Sequence, residues 1–391
     1  MIRIAIIILF VSIIQLANAQ VSLQSVLDSI AANNFQIRAS SENRDAETAF
    51  ALTGLNPLDP QVEYGYFPGN KGEIGTKTTL SISQSFYFPT VYTRKRTGAK
   101  LSGEKSDELH NFNTRYILIE AASHYLELVY LHKYGIELKK RAAYAENVKA
   151  LVEKRLQTGD ANQLEVNKAI MEAMRWTNEL SINTARRTEK EKLLIAMNGD
   201  RSFVFANPEY PLWQLLPVDS ISSKAINSDP ALKAMGYDQQ IAANNVKLHQ
   251  SLWLPQFKAG YGQETILDGS YRGVQAWISI PLWQNKNTVK YASLQQLATE
   301  SSALAYRQQL QSTITSKYQV VASLKSNVDD YQKLVESIKS QDLLQKSLQS
   351  GNISVLEYYR ELSAWYETYD RYLVSASDYY LEMLYLMQYE W

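Results

Sequence analysis

Apolar residues recur along this chain with two different periods. Over Ile314, Tyr318, Val321, Leu324, Val328, Tyr331, Leu334 and Ile338 the steps are 4, 3, 3, 4, 3, 3 and 4. They average about 3.4, the spacing of a left-handed coiled-coil seam. Over Leu118, Ala121, Ala122, Tyr125, Leu126, Leu128 and Val129 the stripe widens. A wide stripe suits a helix with neighbours on two sides. The pattern predicts helices over 23–52, 90–157, 161–198, 230–252, 288–349 and 353–390. Asn56-Pro57 and Asp59-Pro60 stop the first, and Asn198-Gly199 stops the third. Stretch 90–157 has glycines at 98, 103 and 135 and no proline. As one helix it would be roughly 100 Å long, at 1.5 Å per residue.

The second period is two. Thr78, Leu80 and Ile82 alternate with Thr79, Ser81 and Ser83. Phe257, Ala259 and Tyr261 alternate with Lys258, Gly260 and Gly262. Val274, Ala276, Ile278 and Ile280 alternate with Gly273, Gln275 and Ser279, with Trp277 as the exception. Strands are predicted over 61–67, 76–86, 255–264 and 271–281. Apolar-out, polar-in alternation over about ten residues is the pattern of a membrane β-barrel strand. An ordinary hairpin packed on a helix gives the same alternation. Aromatic residues gather at the strand ends: Phe86, Tyr87, Phe88, Trp253, Trp277 and Trp283. Such a girdle suits lipid headgroups.

The elements come twice. EKRLQTGDANQLEVNKA (153–169) is echoed by QKSLQSGNISVLEYYRE (345–361). Leu156, Gln157 and Gly159 recur as Leu348, Gln349 and Gly351, 192 positions later, and Leu164 and Glu165 as Leu356 and Glu357. LSISQSFYFP (80–89) resembles AWISIPLWQN (276–285) at a shift of about 196. The chain therefore reads as repeat 20–198, a linking segment 199–229, and repeat 230–391. The linker is rich in proline and aromatic residues.

Composition narrows the function. Lysine plus arginine (40) balances aspartate plus glutamate (40), which argues against a nucleic-acid partner. The absence of cysteine removes disulfides, thiolate metal sites, thiol nucleophiles and a lipidated N-terminal cysteine. The four histidines are not spaced as metal ligands, and no P-loop, GxGxxG, GxSxG or HExxH is present. No cofactor and no enzyme activity is expected. Met171 with Met174, and Met383 with Met387, are expected to fill core. The 26 tyrosines, crowded in the last helix, suit rings between helices with hydroxyls toward water. Residues 1–19 read as a secretory signal: Arg3, an apolar run to Ile14, and Ala17-Asn18-Ala19 before Gln20. No later stretch is apolar enough for a membrane helix.

Four strands cannot close a barrel, and an open edge in hydrocarbon leaves backbone groups unpaired. If the strands sit in a membrane, chains must share the barrel. Three copies would give twelve strands, above the minimum of eight.

In its signal, its doubled order of helix, strand pair and long helices, its ISQSF…P and SIPLW passages and its TGD and SGN turns, the chain resembles the TolC family of outer-membrane efflux proteins. The resemblance covers about 21–389. It implies a mainly α fold with a transmembrane β-barrel portion: a homotrimer with a shared twelve-stranded barrel in outer-membrane lipid and a helical tunnel in the periplasm. It also implies a periplasmic adaptor and an inner-membrane pump, of RND or ABC type, as partners. The implied function is a passive duct for small molecules or metal ions. A soluble periplasmic coiled-coil scaffold or adaptor is the competing reading. The resemblance makes Gly159, Asp160, Gly351 and Asn352 the helix-tip turns that meet the adaptor. It makes Glu165 and Glu357 candidates for the entrance, where rings of carboxylates would favour cations. The family's gate arginine is replaced by Ile353, and a further acidic position by Arg360 followed by Glu361, so any lock here would use Arg360 and Glu361. Without a C-terminal extension, the girdle around the tunnel waist would fall to 199–229.

Overall fold

The computed structural model describes residues 22–70, 75–337 and 340–390. The signal at 1–19 and Ile338 of the heptad stripe lie outside them. In order the elements are α1 (Leu23–Asn33), α2 (Phe35–Ala51), β1 (Gln61–Phe67), β2 (Lys77–Phe86), α3 (Pro89–Thr158) and α4 (Gln163–Met197). Then come α5 (Val218–Ser228), α6 (Pro230–Ser251), β3 (Gln256–Ile266), β4 (Gly269–Ser279), α7 (Thr288–Ser337), α8 (Ser340–Gln349) and α9 (Val355–Met387). The doubled order of helices and strand pairs matches the sequence reading.

Two boundaries differ from it. The helix expected over 23–52 is two, broken at Asn34. The Asn34 Oδ1 accepts from the backbone N–H of Gln36 (2.8 Å) and Ile37 (3.0 Å). Its Nδ2 donates to the Met197 carbonyl (2.7 Å), so one buried side chain starts α2 and caps the end of α4. The helix expected over 288–349 is described as α7 and α8, and the two positions between them, 338 and 339, lie outside the described residues. The Ser337 hydroxyl donates to the Leu334 carbonyl (2.9 Å). Finally, the linker 199–229 contains α5.

Two compact units form. One comprises Thr114–Ala225 and Gln311–Trp391 with the stretch up to Arg38; the other comprises Ala39–Asn113 and Ile226–Leu310. The first unit holds two large cores. In one, Val26 and Ile30 of α1 meet Ala121, Ala122, Leu126, Leu128 and Val129 of α3 and Leu194 of α4, as the wide stripe predicts. In the other, Leu138, Val152, Val166, Ala169 and Trp176 meet Leu348, Val355, Tyr358 and Tyr366. The heptad stripe is buried at Ile314 and Val321 but opens to solvent by Leu334 (41% exposed). In the second unit the buried helical residues are largely alanine: Ala99, Ala234, Ala242, Ala292 and Ala303. Small side chains allow close helix approach.

The glycines of α3 mark contacts. A Cβ on Gly135 would lie 2.8 Å from the Asn183 amide, and one on Gly98 3.2 Å from the Asn244 amide. Tyr358, Tyr359, Tyr366 and Tyr379 pack their rings as expected, all nearly fully buried, but the Tyr359 hydroxyl is buried rather than turned to water. The methionine expectation holds for Met383 and fails for Met171 and Met174, which are 60% and 65% exposed on α4. That face of α4 has no partner among the described residues.

Candidate membrane face and helix-tip turns

The four strands make one antiparallel sheet in the order β1-β2-β3-β4. Its register decides which side chains share a face. Val62 pairs with Ile82, Ile82 with Tyr261, and Tyr261 with Val274. Directly opposed residues point the same way, so these form one apolar row. In the row above, Tyr64 and Leu80 continue into the polar Gln263 and Arg272; in the row below, Gln84 stands beside Ala259 and Ala276, and Phe86, Phe257 and Ile278 follow in the next. From Phe86 to Leu80 is about 20 Å along the strand, against the roughly 25 Å of an outer-membrane apolar band. Among the described residues nothing covers this face. Val62 is 67% exposed, Ile278 65% and Val274 90%.

The opposite face is polar and small: Glu63, Ser81, Ser83, Gly65, Gly260, Gly262, Gly273 and Gln275. Lys77 and Glu264 pair across it at 2.7 Å. Trp277, the exception in the alternation, belongs here. It pairs with Lys258, whose ammonium lies 5.1 Å from the Trp277 ring centroid. The cation–π contact gives the indole a reason to sit on the wet side. Both outer strands, β1 and β4, end the sheet with unpaired edges.

Phe86, Trp253, Trp277 and Trp283 are exposed at the helix-proximal end of the sheet, and the Phe88 ring packs 6.3 Å from Phe257. Tyr87 is half-buried, with Lys95 over its ring at 5.2 Å. The sequence reading missed a second cluster at the loop end: Tyr64, Tyr66, Phe67 and Tyr271, each more than half exposed. Measuring aromatic positions from both ends of each strand would have found it.

The helix tips follow one design twice. After α3, Gly159 takes φ +84°; after α8, Gly351 takes φ +73°. Asp160 N–H donates to the Arg155 carbonyl (2.8 Å) and Gly159 N–H to Leu156 (3.2 Å). Asn352 N–H donates to Ser347 (2.9 Å) and Gly351 N–H to Leu348 (3.2 Å). These left-handed turns satisfy the last helical carbonyls. Each next helix begins with a capping box. Asn162 and Glu165 exchange side-chain and backbone bonds (3.0 and 3.1 Å), and Ser354 and Glu357 do the same (3.2 and 2.9 Å). The bonds from the Ser354 backbone and hydroxyl hold the Glu357 carboxyl below the usual range. Capping thus accounts for the match of Glu165 with Glu357 within one chain. Arg360 and Glu361 are exposed and pair with each other at 3.0 Å.

Two arginines join the hairpins, Arg155 at the tips and Arg141 further along them. Arg155 donates to the carbonyls of Leu348 (2.9 Å) and Gln349 (3.5 Å), capping the end of α8 from the end of α3. Arg141 is wholly buried. It forks onto Asp370 (3.0 and 2.7 Å), bonds Glu137 (3.1 Å), and lies against the rings of Tyr366 and Trp176. Burial alone would lower its pKa, but the carboxylates outweigh this and raise it. Sequence reading singled out neither arginine, because Asp370 and the Leu348 and Gln349 carbonyls are more than 190 residues away.

Among the described residues no helix is long and apolar enough to cross a membrane, and no cluster of His, Asp and Glu could hold a metal. No protein-family profile and no curated protein matches the sequence. Solved structures do match in fold. The outer membrane protein VceC of Vibrio cholerae superposes with a TM-score of 0.77 at 14% identity, over 94% of this chain and 95% of that one. CusC, whose structures concern transmembrane channel formation, gives 0.75 at 15% identity over 95% and 92%. The CmeC outer membrane channel of Campylobacter jejuni gives 0.70 at 13% identity over 94% and 85%. The chain therefore has the fold of the TolC-type outer-membrane channels, with four sheet strands and paired long helices per chain.

Proposed function

We propose that the chain is one protomer of a trimeric outer-membrane exit duct. The observation that carries this reading is the sheet: an exposed apolar face about as tall as a bilayer band, backed by a polar face and bounded by two unpaired edges. In hydrocarbon such edges must pair with other chains, and three copies supply twelve strands. The likeness to VceC, CusC and CmeC supports the same reading. The duct works passively, catalyses nothing and takes its energy from an inner-membrane pump reached through a periplasmic adaptor at the Gly159-Asp160 and Gly351-Asn352 turns. Its cargo is small molecules or metal ions. Three copies of Glu165 and Glu357 at the mouth favour cations, and Arg360 with Glu361 is the nearest charged pair to any lock.

Mass in detergent is the test. Light scattering on membrane-extracted protein should give three chains per particle, and Trp253 and Trp283 fluorescence should be quenched by brominated lipid. A monomer soluble without detergent would sink the duct and leave a periplasmic scaffold.

A further inference from the structure

We propose that the helix end of the sheet carries a belt of basic side chains that binds the headgroups of anionic phospholipid, in the leaflet next to the long helices. The inference rests on the exit-duct reading, which puts the sheet in a bilayer, and adds the class of lipid that the chain selects there.

The belt is a local departure from a balanced chain. Lysine plus arginine equals aspartate plus glutamate overall, 40 against 40. The stretches that join strands to helices are 49–60, 87–98, 244–255 and 280–291. They hold Arg94, Lys95, Arg96, Lys247, Lys286 and Lys290 against a single acid, Asp59. At the other end of the sheet, loops 68–76 and 267–268 hold Lys71 against Glu73 and Asp268. The excess of base is therefore at one end only.

The chain does not cancel this charge. Among the described residues none of the six bases forms an ion pair. Lys95 donates to the Gly54 carbonyl (3.1 Å) and lies over the Tyr87 ring, while Arg96, Lys247, Lys286 and Lys290 are exposed. Ion pairing on these helices starts further from the sheet, at Lys100 with Glu104 (3.7 Å) and Lys105 with Asp238 (2.7 Å). Acids are thus missing only where the helices meet the sheet.

The depth fits headgroups. α3 begins at Pro89 and α7 at Thr288. At 1.5 Å per residue, Arg96 lies about 10 Å along α3 and Lys290 about 3 Å along α7. A headgroup layer is roughly 5–8 Å thick on each side of the hydrocarbon, within the reach of long basic side chains. Lys286 and Lys290 also follow Leu282 and Trp283, 67% and 77% exposed. Bare apolar and aromatic side chains beside bases suit a lipid boundary better than a water-filled lumen. A headgroup of net negative charge gains from every such base, whereas a zwitterionic one brings its own cation.

Lipid selection is read from tryptophan quenching. The protein is reconstituted in vesicles of equal parts phosphatidylcholine and phosphatidylglycerol, with one lipid or the other brominated. Brominated phosphatidylglycerol should quench at least about threefold more strongly at low salt. The preference should vanish at about 1 M salt, where the screening length is about 3 Å. It should also vanish in the triple variant Arg96→Gln, Lys286→Gln, Lys290→Gln, whose three positions are exposed and whose mass in detergent should match the parent's. Equal quenching by the two lipids in the parent would overturn the proposal without any variant. So would a preference that survives the triple substitution; a fall in anion permeability in that variant would then place the bases on the water-filled side. Absence of quenching by either lipid would sink the duct reading instead, because the sheet would not be in the bilayer.

Discussion

The side-chain amide of Asn183 donates to the backbone carbonyl of Leu131 at 3.0 Å, across a patch of helix that Gly135 leaves bare. The arrangement occurs twice on α3. Asn244 donates to the Arg94 carbonyl at 2.9 Å, and Gly98 clears its way. In both cases the glycine stands four residues after the acceptor, on the same face of the helix. Each amide fixes α3 in register with a neighbour: α4 in one unit, α6 in the other. Apolar stripes alone tolerate sliding by a turn. A buried amide that fits one carbonyl does not.

Gly135→Ala separates two opposing effects. Alanine in a helix gains about 1 kcal/mol over glycine. Its Cβ would stand 2.8 Å from the Asn183 amide, which must swing away and leave a buried donor unmatched. That loss is about 1–3 kcal/mol. Loss should win, lowering the unfolding midpoint of the detergent-solubilised protein. Gly98→Ala meets Asn244 at 3.2 Å, a gap that a small shift relieves, and should be near neutral. Asn183→Ala added to Gly135→Ala should recover part of the loss. A Gly135→Ala protein more stable than the parent would show that the amide contact does not hold the register.

Turn glycines should divide into two classes. Gly159, Gly199 and Gly351 all have positive φ, at +84°, +63° and +73°. A Cβ at Gly159 or Gly351 meets nothing within 4 Å, so alanine there costs only the backbone strain, about 1–2 kcal/mol. At Gly199 the Cβ would lie 2.7 Å from the Asn33 carbonyl oxygen, which is backbone and cannot rotate aside. Gly199→Ala should therefore be the most damaging of the three, measured as accumulation of folded protein in membranes. Equal loss at all three sites would mean that strain alone matters there.

The strands, the long helices and the two tip turns were legible because each rests on local chemistry. Period two, period 3.5 and a glycine after a helix are all visible within a dozen residues. The Asn34 break was not, since asparagine is tolerated in helices and its cap is completed by Met197, far along the chain. Glu165 and Glu357 matched across the repeat, and Asn162 and Ser354, three residues earlier, already spelled the capping boxes that account for this match within one chain. Arg141 looked like one more charge on a helix. Only the meeting of α3 with α9 shows that its partner is Asp370.

The Arg141 cluster predicts unequal outcomes for its members. Arg141→Met leaves Glu137, 4% exposed, without its guanidinium and should cost several kcal/mol, about 3–5 for a broken buried pair. Asp370 is 34% exposed, so water can replace part of what it provides, and Asp370→Asn should cost less. Amide hydrogen exchange across 355–375 is the measurement. Faster exchange in Arg141→Met than in Asp370→Asn is expected. The reverse order would mean that Asp370, not the buried guanidinium, organises the cluster.

Acid should weaken the protein in two separable steps. His124 and His132 are half-buried on α3, and burial is the main cause that lowers both below the ordinary 6.5. Lys190, 3.3 Å from the His124 ring, adds to this, and Arg187 does so for His132; Glu127, Glu120 and Glu189 on one side and Glu209 on the other partly oppose it. The folded state thus keeps these rings neutral where the unfolded chain takes up protons. Stability is complete above pH 6.5 and falls as pH drops below it, until the folded rings protonate as well. Glu357 acts lower. Its carboxyl is held below the ordinary 4.5 by the Ser354 cap, so its contribution is present above 4.5 and fades as pH falls through the lowered value. The urea midpoint should decline first between pH 6.5 and 5, and His124→Gln with His132→Gln should flatten that slope. Hydrogen exchange at 353–360 should hold through the first step and accelerate only in the second. A slope unchanged by both histidine substitutions would assign the first step to other groups, and early exchange at the tip would detach it from Glu357.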